Sequence, residues 1–173
     1  KYLSPEDDAL IAATCPAVRL RQENGEGEDH AIWGPVLKTR VGYATDPALR
    51  FHASSGGVLS AALIYLLDSN AIDYVVQTAA SPDSPMGNAI VESLDRSGVY
   101  DAAGSRYGPS APLSQVRRQL QKPGRFAFVG KPCDVAALRA LSRHDPRVAE
   151  KIPFIISFFC AGVPSLKGTK EIL

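Results

Sequence analysis

Residues 125–159 constrain the fold more than any other part of this 173-residue chain. Arg125-Phe-Ala-Phe-Val-Gly130 is a short apolar run, residues 134–142 carry a helical pattern, and residues 152–159 form a second run rich in Ile and Phe. Two continuous apolar strands flanking one helix imply a βαβ unit. Its strands are then parallel, buried on both faces and joined by a right-handed crossover. Cys133 and Cys160 fall just past the carboxyl ends of those strands. Ligands bind at that edge in open α/β sheets, so the two thiols are expected close to one another and close to a pocket.

The remaining segments extend the same architecture. Ser4-Pro5-Glu6-Asp7 combines a capping Ser, a Pro at the first helical position and acids at the positive end of the dipole. It predicts a helix to about Thr14. Residues 22–30 are polar and Gly-rich and read as a loop, whereas residues 36–44 alternate and read as a strand. Ser54 and Ser55 are read as caps of a helix through about Leu67, apolar nearly all round and so expected to be buried. Strands are expected over 72–78 and 89–94 around a turn at 80–88, and an amphipathic helix over 113–121. The expected fold class is α/β, a mostly parallel or mixed sheet with helices on both faces in a single domain. That domain takes in residues 36–173, behind an N-terminal extension of residues 1–35.

Composition removes several classes of function. A net charge of +1 gives no electrostatic case for binding nucleic acid or an anionic membrane. The longest apolar run, near Phe154–Phe159, is far too short to span a bilayer. Cysteines number three, with Pro after Cys15 and before Cys133. A disulfide framework is thereby disfavoured and a reducing, cytoplasmic setting expected. The chain opens on Lys1 and stops at Leu173 inside what reads as the start of a helix, so it is expected to be part of a longer protein.

Three loops carry glycine where a helix is due: Ser54-Ser55-Gly56-Gly57, Gly130-Lys131-Pro132-Cys133 and Cys160-Ala-Gly-Val-Pro164. Free backbone N–H groups at such helix starts bind phosphates. Each glycine inside a helix costs roughly 1 kcal/mol against Ala, less in the first turn. Gly56 and Gly57 therefore point either to a phosphate cradle or to an N-cap with glycines admitting tight packing. Gly104-Ser105-Arg106-Tyr107 reads as a surface turn or as a place where Arg106 and Tyr107 meet an aromatic, anionic cofactor by stacking and charge. The Lys131 ammonium is either solvated or set to stabilise negative charge on a phosphate or a reduced ring, which makes it the candidate catalytic cation. Cys133 and Cys160 read as small buried side chains, as metal or iron–sulfur ligands, or, for Cys133 beside Lys131 at a helix start, as a reactive thiol. His30, His52 and His144 are scattered without metal spacing.

Taken in order, His52-Ala-Ser-Ser-Gly-Gly-Val58, Ile72-Asp-Tyr-Val-Val76, Ala103-Gly-Ser-Arg-Tyr107, Phe128-Val-Gly-Lys-Pro-Cys-Asp-Val-Ala-Ala-Leu-Arg139 and Phe158-Phe-Cys-Ala-Gly-Val-Pro164 resemble the coenzyme F420 hydrogenase/dehydrogenase beta-subunit family. The resemblance spans roughly residues 36–173 and rests on five ordered motifs. That family also takes in 7-hydroxymethyl chlorophyll a reductase. The resemblance implies an FAD and iron–sulfur oxidoreductase of cytoplasmic electron transfer. Its partners are an electron-donor protein (ferredoxin or a hydrogenase/dehydrogenase subunit) and a small-molecule hydride acceptor or unsaturated ring. It implies that Ser54 to Gly57 hold FAD phosphates, that Gly104 to Tyr107 and Gly130 to Pro132 line the flavin, and that Cys133 and Cys160 are metal ligands of a 4Fe-4S cluster. The family's downstream Cys-x-x-Cys has no counterpart up to Leu173, and Cys15-Pro16 resembles only the tail of a ferredoxin-like motif in the extension. Two rival functions stand beside this one: a thiol enzyme with Cys133 as nucleophile, and a non-catalytic electron-relay or docking subunit.

Overall fold

The structure is a computed structural model and describes residues 3–20 and 27–172. Helix α1 (Pro5–Thr14) starts as its sequence demands, with the Ser4 hydroxyl accepting from the Asp7 amide at 3.0 Å and Pro5 in the first turn. It lies against helix α6 (Pro132–Leu141), so the extension is part of the body of the fold. A small antiparallel hairpin follows, β1 (Glu28–His30) and β2 (Gly34–Val36).

The main sheet has four strands in the order β4-β3-β5-β6. Strands β3 (Tyr74–Ala80), β5 (Phe126–Gly130) and β6 (Phe154–Ser157) run parallel, and β4 (Asn88–Ser93) pairs antiparallel with β3 on the outer edge. Alternation along the strands divides the core in two. Val75, Ala127 and Val129 face α2 (Pro47–His52), α3 (Val58–Asp68) and α4 (Arg96–Asp101), meeting Leu49, Leu63, Ile64 and Val99. Tyr74, Val76, Phe126 and Phe128 face the opposite way, onto Val116 of α5 (Val116–Gln119), Leu138 of α6 and Val148 of α7 (Arg147–Lys151). Burying side chains of this size contributes about 1.5–3 kcal/mol each, which is why both faces of β5 are sealed. Helix α8 (Leu166–Ile172) closes the described chain. No described helix is long and apolar enough to cross a membrane.

The βαβ unit over β5, α6 and β6 and the mixed α/β class agree with the sequence reading, but β6 takes up only residues 154–157 of the run expected over 152–159 and, at the sheet edge, is exposed at Phe154 and Ser157 instead of buried on both faces. Other expectations need correction. Only Val36 of the strand expected over 36–44 is in a strand; residues 37–44 have no regular structure, because Lys38-Thr39-Arg40 and Gly42 give no apolar face and Ala44 alone is buried. The helix expected from Ser54/Ser55 to Leu67 is preceded by the separate helix α2 and a 3-10 turn, Ser55–Gly57, and begins at Val58. Nor is it buried all round: Ser60, Leu63 and Ile64 face the sheet while Val58 and Tyr65 are exposed, since α3 forms an outer layer. The segment 113–121 opens as a 3-10 turn, Pro112–Gln115, before α5. Of the loop expected over 22–30, residues 28–30 form β1 and residues 22–26 lie outside the described residues.

Candidate functional site

Helix α3 runs down toward the amino end of β3, where the Ile72 amide donates to the Leu66 carbonyl, so its own start lies at the carboxyl edge of the parallel strands. The chain reaches that point through α2, whose first turn is capped by Asp46 accepting from the Ala48 and Leu49 amides at 2.8 and 3.2 Å. Those amide bonds, with Arg96 beside the carboxylate, hold Asp46 below the usual carboxylate range. After Ala53, three successive residues turn left-handed: Ser55 at φ 51°, Gly56 at 70° and Gly57 at 72°. A side chain is excluded twice over at the glycines. A Cβ on Gly56 would stand 3.2 Å from the Tyr43 Cβ, and one on Gly57 3.2 Å from the Leu49 carbonyl oxygen and 3.3 Å from the Ala44 Cβ. The Gly56 carbonyl accepts from the Ala44 amide at 2.7 Å.

No side chain caps α3. Its cap position is Gly57, and the Ser54 hydroxyl, before the 3-10 turn, accepts from the Ser105 amide and the Ser105 hydroxyl, each at 2.9 Å. Two of the glycine loops singled out in the sequence are thus brought together. An eleven-residue helix without a side-chain cap, a left-handed glycine turn and two exposed hydroxyls fits an anionic group such as a phosphate. The ring of His52, just before this turn, stacks on Tyr100 with centroids 4.2 Å apart.

Residues 102–111 form an irregular segment across the same edge. Arg106 is committed to protein partners: Nε donates to the Asn88 Oδ1 at 3.0 Å and Nη2 to the Gly87 carbonyl at 3.0 Å. Asn88 in turn donates through Nδ2 to the Gly108 carbonyl at 2.9 Å. Tyr107 beside it is exposed.

The start of α6 is built differently. The Lys131 amide donates to Asp134 Oδ2 at 3.0 Å, and the Lys131 ammonium reaches the same oxygen at 2.7 Å. The ammonium also donates to the Ser110 hydroxyl at 3.1 Å, and its side chain is only 15% exposed, so it is anchored rather than solvated. Gly130 is glycine for packing: a Cβ there would lie 2.7 Å from the Phe128 ring and 2.9 Å from the Asp134 Cβ. Pro132 fills the first helical position.

Gly130 pairs with Ser157 across β5 and β6, which sets Cys133 and Cys160 beyond the carboxyl ends of adjacent strands, both exposed. Phe159, next to Cys160, meets Trp33 of the hairpin edge-on at 5.2 Å. Cys15 ends α1. Among the described residues no three His, Cys, Asp or Glu side chains gather as a metal site. A four-thiolate cluster therefore does not fit the donors of this chain alone.

Asp134, Asn88 and Ser110 escaped the sequence reading. Asp134 had a signal, a carboxylate three residues after a helix cap, as in a capping box. Asn88 and Ser110 had none, since only tertiary contacts give them a role.

Comparison with known proteins bears on the whole of this edge. Sequence models described as coenzyme F420 hydrogenase/dehydrogenase, beta subunit, match residues 39–117 with their N-terminal part and residues 124–173 with their C-terminal part. A coenzyme F420 hydrogenase subunit beta from Methanococcus voltae is 30% identical over 139 residues, covering 75% of this chain and 47% of the relative. Another, from Methanosarcina barkeri (strain Fusaro / DSM 804), is 24% identical over 122 residues, covering 68% of this chain and 42% of the relative. The chain spans about half the length of the curated relatives it matches. In fold it is similar to a chain of the F420-reducing NiFe hydrogenase complex from Methanosarcina barkeri. The TM-score is 0.69 at 24% identity, over 75% of this chain and 46% of that one.

Proposed function

Because the chain belongs to the coenzyme F420 hydrogenase/dehydrogenase beta-subunit family, we propose that it is the flavin-binding portion of an oxidoreductase. In this reading electrons pass between the iron–sulfur centres of a donor protein, a ferredoxin or a hydrogenase/dehydrogenase subunit, and a small organic hydride acceptor. The setting is cytoplasmic. The observation that carries the proposal is the uncapped start of α3 behind the left-handed Ser55-Gly56-Gly57 turn.

Ser54 to Gly57 would hold the FAD phosphates, with the Gly57 amide given to the Ser54 carbonyl to close the turn and Ser105 supplying a second hydroxyl from the facing loop. Gly104 to Tyr107 and Gly130, Lys131 and Pro132 would line the flavin. Arg106, bonded to Asn88 and Gly87, keeps the first of these segments in place. FAD supplies the coupling of one-electron to two-electron transfer, which no side chain can provide. Cys133 and Cys160 are candidate metal ligands that need further thiolates from outside the described residues to complete a 4Fe-4S set.

A UV–visible spectrum of the anaerobically purified protein, taken before and after acid release of chromophore, tests this. Released flavin is the expected result. A colourless protein that also fails to take up added FAD sinks the proposal.

A further inference from the structure

We propose that Lys131 is a positioning residue, which holds the 104–110 segment against the open start of α3 by bonding Ser110 while Asp134 neutralises it. The proposal takes its ligand from the flavin reading above, but its geometry stands independently.

The segment has no repeating hydrogen bonds of its own, so side chains from elsewhere set its place. At one end Ser105 is fixed to Ser54, 51 residues away in sequence. In the middle Asn88 clasps the Gly108 and Pro109 carbonyls, and Arg106 reaches back to Asn88 and Gly87. At the other end the Lys131 ammonium bonds both the hydroxyl and the carbonyl of Ser110, at 3.1 and 3.3 Å. One series of polar contacts therefore runs from Lys131, just before α6, to Ser54, at the turn that leads into α3. The segment it secures is the proposed wall of the flavin site.

The charge of Lys131 is better suited to anchoring than to tuning. Its ammonium lies 2.7 Å from the Asp134 carboxylate, and both side chains are largely buried, at 15% and 12% exposed. Seen from a ring beyond the pair, the two charges form a dipole, whose field falls faster with distance than that of a lone cation. The hydrogen bonds to Ser110 are short-range and unaffected by that cancellation.

The test uses the full-length protein, with Lys131→Met and Ser110→Ala, in two measurements. Amide hydrogen exchange of the FAD-free protein reads the segment directly. Both variants are expected to speed exchange of the Ser105 amide, which is bonded across to Ser54, Ser110→Ala by about tenfold for one charge-assisted bond weakened. Exchange in β3 and β5 stays as in the wild type. Titration with FAD then gives the ligand's view. Affinity falls several-fold in Ser110→Ala, and bound-flavin fluorescence rises as Tyr107 moves off the ring. In Ser110→Ala the melting temperature and the flavin midpoint potential do not move. Lys131→Met leaves Asp134 without its counter-ion and can fail to fold; Ser110→Ala keeps the ion pair and decides alone in that case. Wild-type exchange in Ser110→Ala overturns the proposal, as does a shifted midpoint potential in Lys131→Met with exchange unchanged. If the wild type binds no FAD, the flavin reading falls while the exchange data still decide the role of Lys131.

Discussion

At the start of α6 the chain's own carboxylate takes the place a ligand would occupy, whereas at the start of α3 the chain leaves that place empty. Asp134 accepts from the Lys131 amide and pairs with the Lys131 ammonium, so a carboxylate of the chain already stands at the positive end of α6. At α3 the cap residue is Gly57, which has no side chain to cap with, and Ser54 turns its hydroxyl to Ser105. Both starts contain glycine, yet for different reasons. Gly130 makes room for Phe128 and Asp134, while Gly56 and Gly57 carry a left-handed backbone. A glycine before a helix is thus no sign of a phosphate site by itself. The residue three positions into the helix, which decides whether a carboxylate already stands at its positive end, is the better guide.

The change with the largest expected effect is Gly56→Val. A branched side chain at φ 70° is strained, costing about 1–2 kcal/mol, and its Cβ would stand 3.2 Å from that of Tyr43. The expected outcome is loss of bound FAD from a protein that still folds, read by flavin absorbance after gel filtration. Stoichiometric FAD in the folded variant would break the contrast, since α3 would then be no more a ligand site than α6.

The converse change is Asp134→Ala, which opens α6. The loss of a cap costs roughly 1 kcal/mol, and leaving the Lys131 ammonium without its partner adds to that. A fall in stability of about 2–3 kcal/mol is expected in urea, with a smaller one for Asp134→Asn, which keeps an acceptor. Gly130→Ala belongs to the same group. Its Cβ would lie 2.7 Å from the Phe128 ring and is expected to cost about 1–3 kcal/mol by overpacking, with a smaller effect on FAD than Gly56→Val. If Gly130→Ala removed FAD at unchanged stability, the α6 loop would hold the phosphates, and the contrast with α3 would fail.

How far this contrast was legible before the fold follows from where its information lies. The unit of β5, α6 and β6 was readable because Phe126, Phe128 and the Ile-rich run of β6 form apolar strands around a helix of ordinary length. Helices α2, α4 and α7, of five or six residues each, carry too few turns to show a period, so they were missed. The alternation over residues 37–44 misled because alternation describes a strand only where a partner exists. At the site, the glycine loops stood out as chain chemistry. Which loop was open did not, because Ser54 meets Ser105 across 51 residues and Lys131 meets Ser110 across 21. Such pairings are properties of the folded edge, with no local trace.

The smallest expected effect concerns the third helix start on this route, that of α2, and it sharpens the comparison by titration. Asp46 caps α2 through the Leu49 and Ala48 amides, and those bonds, more than Arg96, depress its pKa. A carboxylate with a depressed folded-state pKa contributes stability that is complete above its unfolded value, about 3.9, and is lost as pH falls through the folded one. Because the carboxylate is exposed, the effect is small and confined to acid. Asp46→Asn keeps an oxygen for the two amides and removes the titration, so its melting temperature should be flatter than the wild type's as pH drops from about 5 to about 3. Asp46→Ala loses the cap as well and should be less stable at every pH in that range. Identical acid limbs for wild type and Asp46→Asn would mean that the α2 cap carries no weight. The left-handed turn that follows Ala53 would then be held by its contacts to Tyr43 and Ala44 alone, leaving α3's open start independent of how α2 is capped.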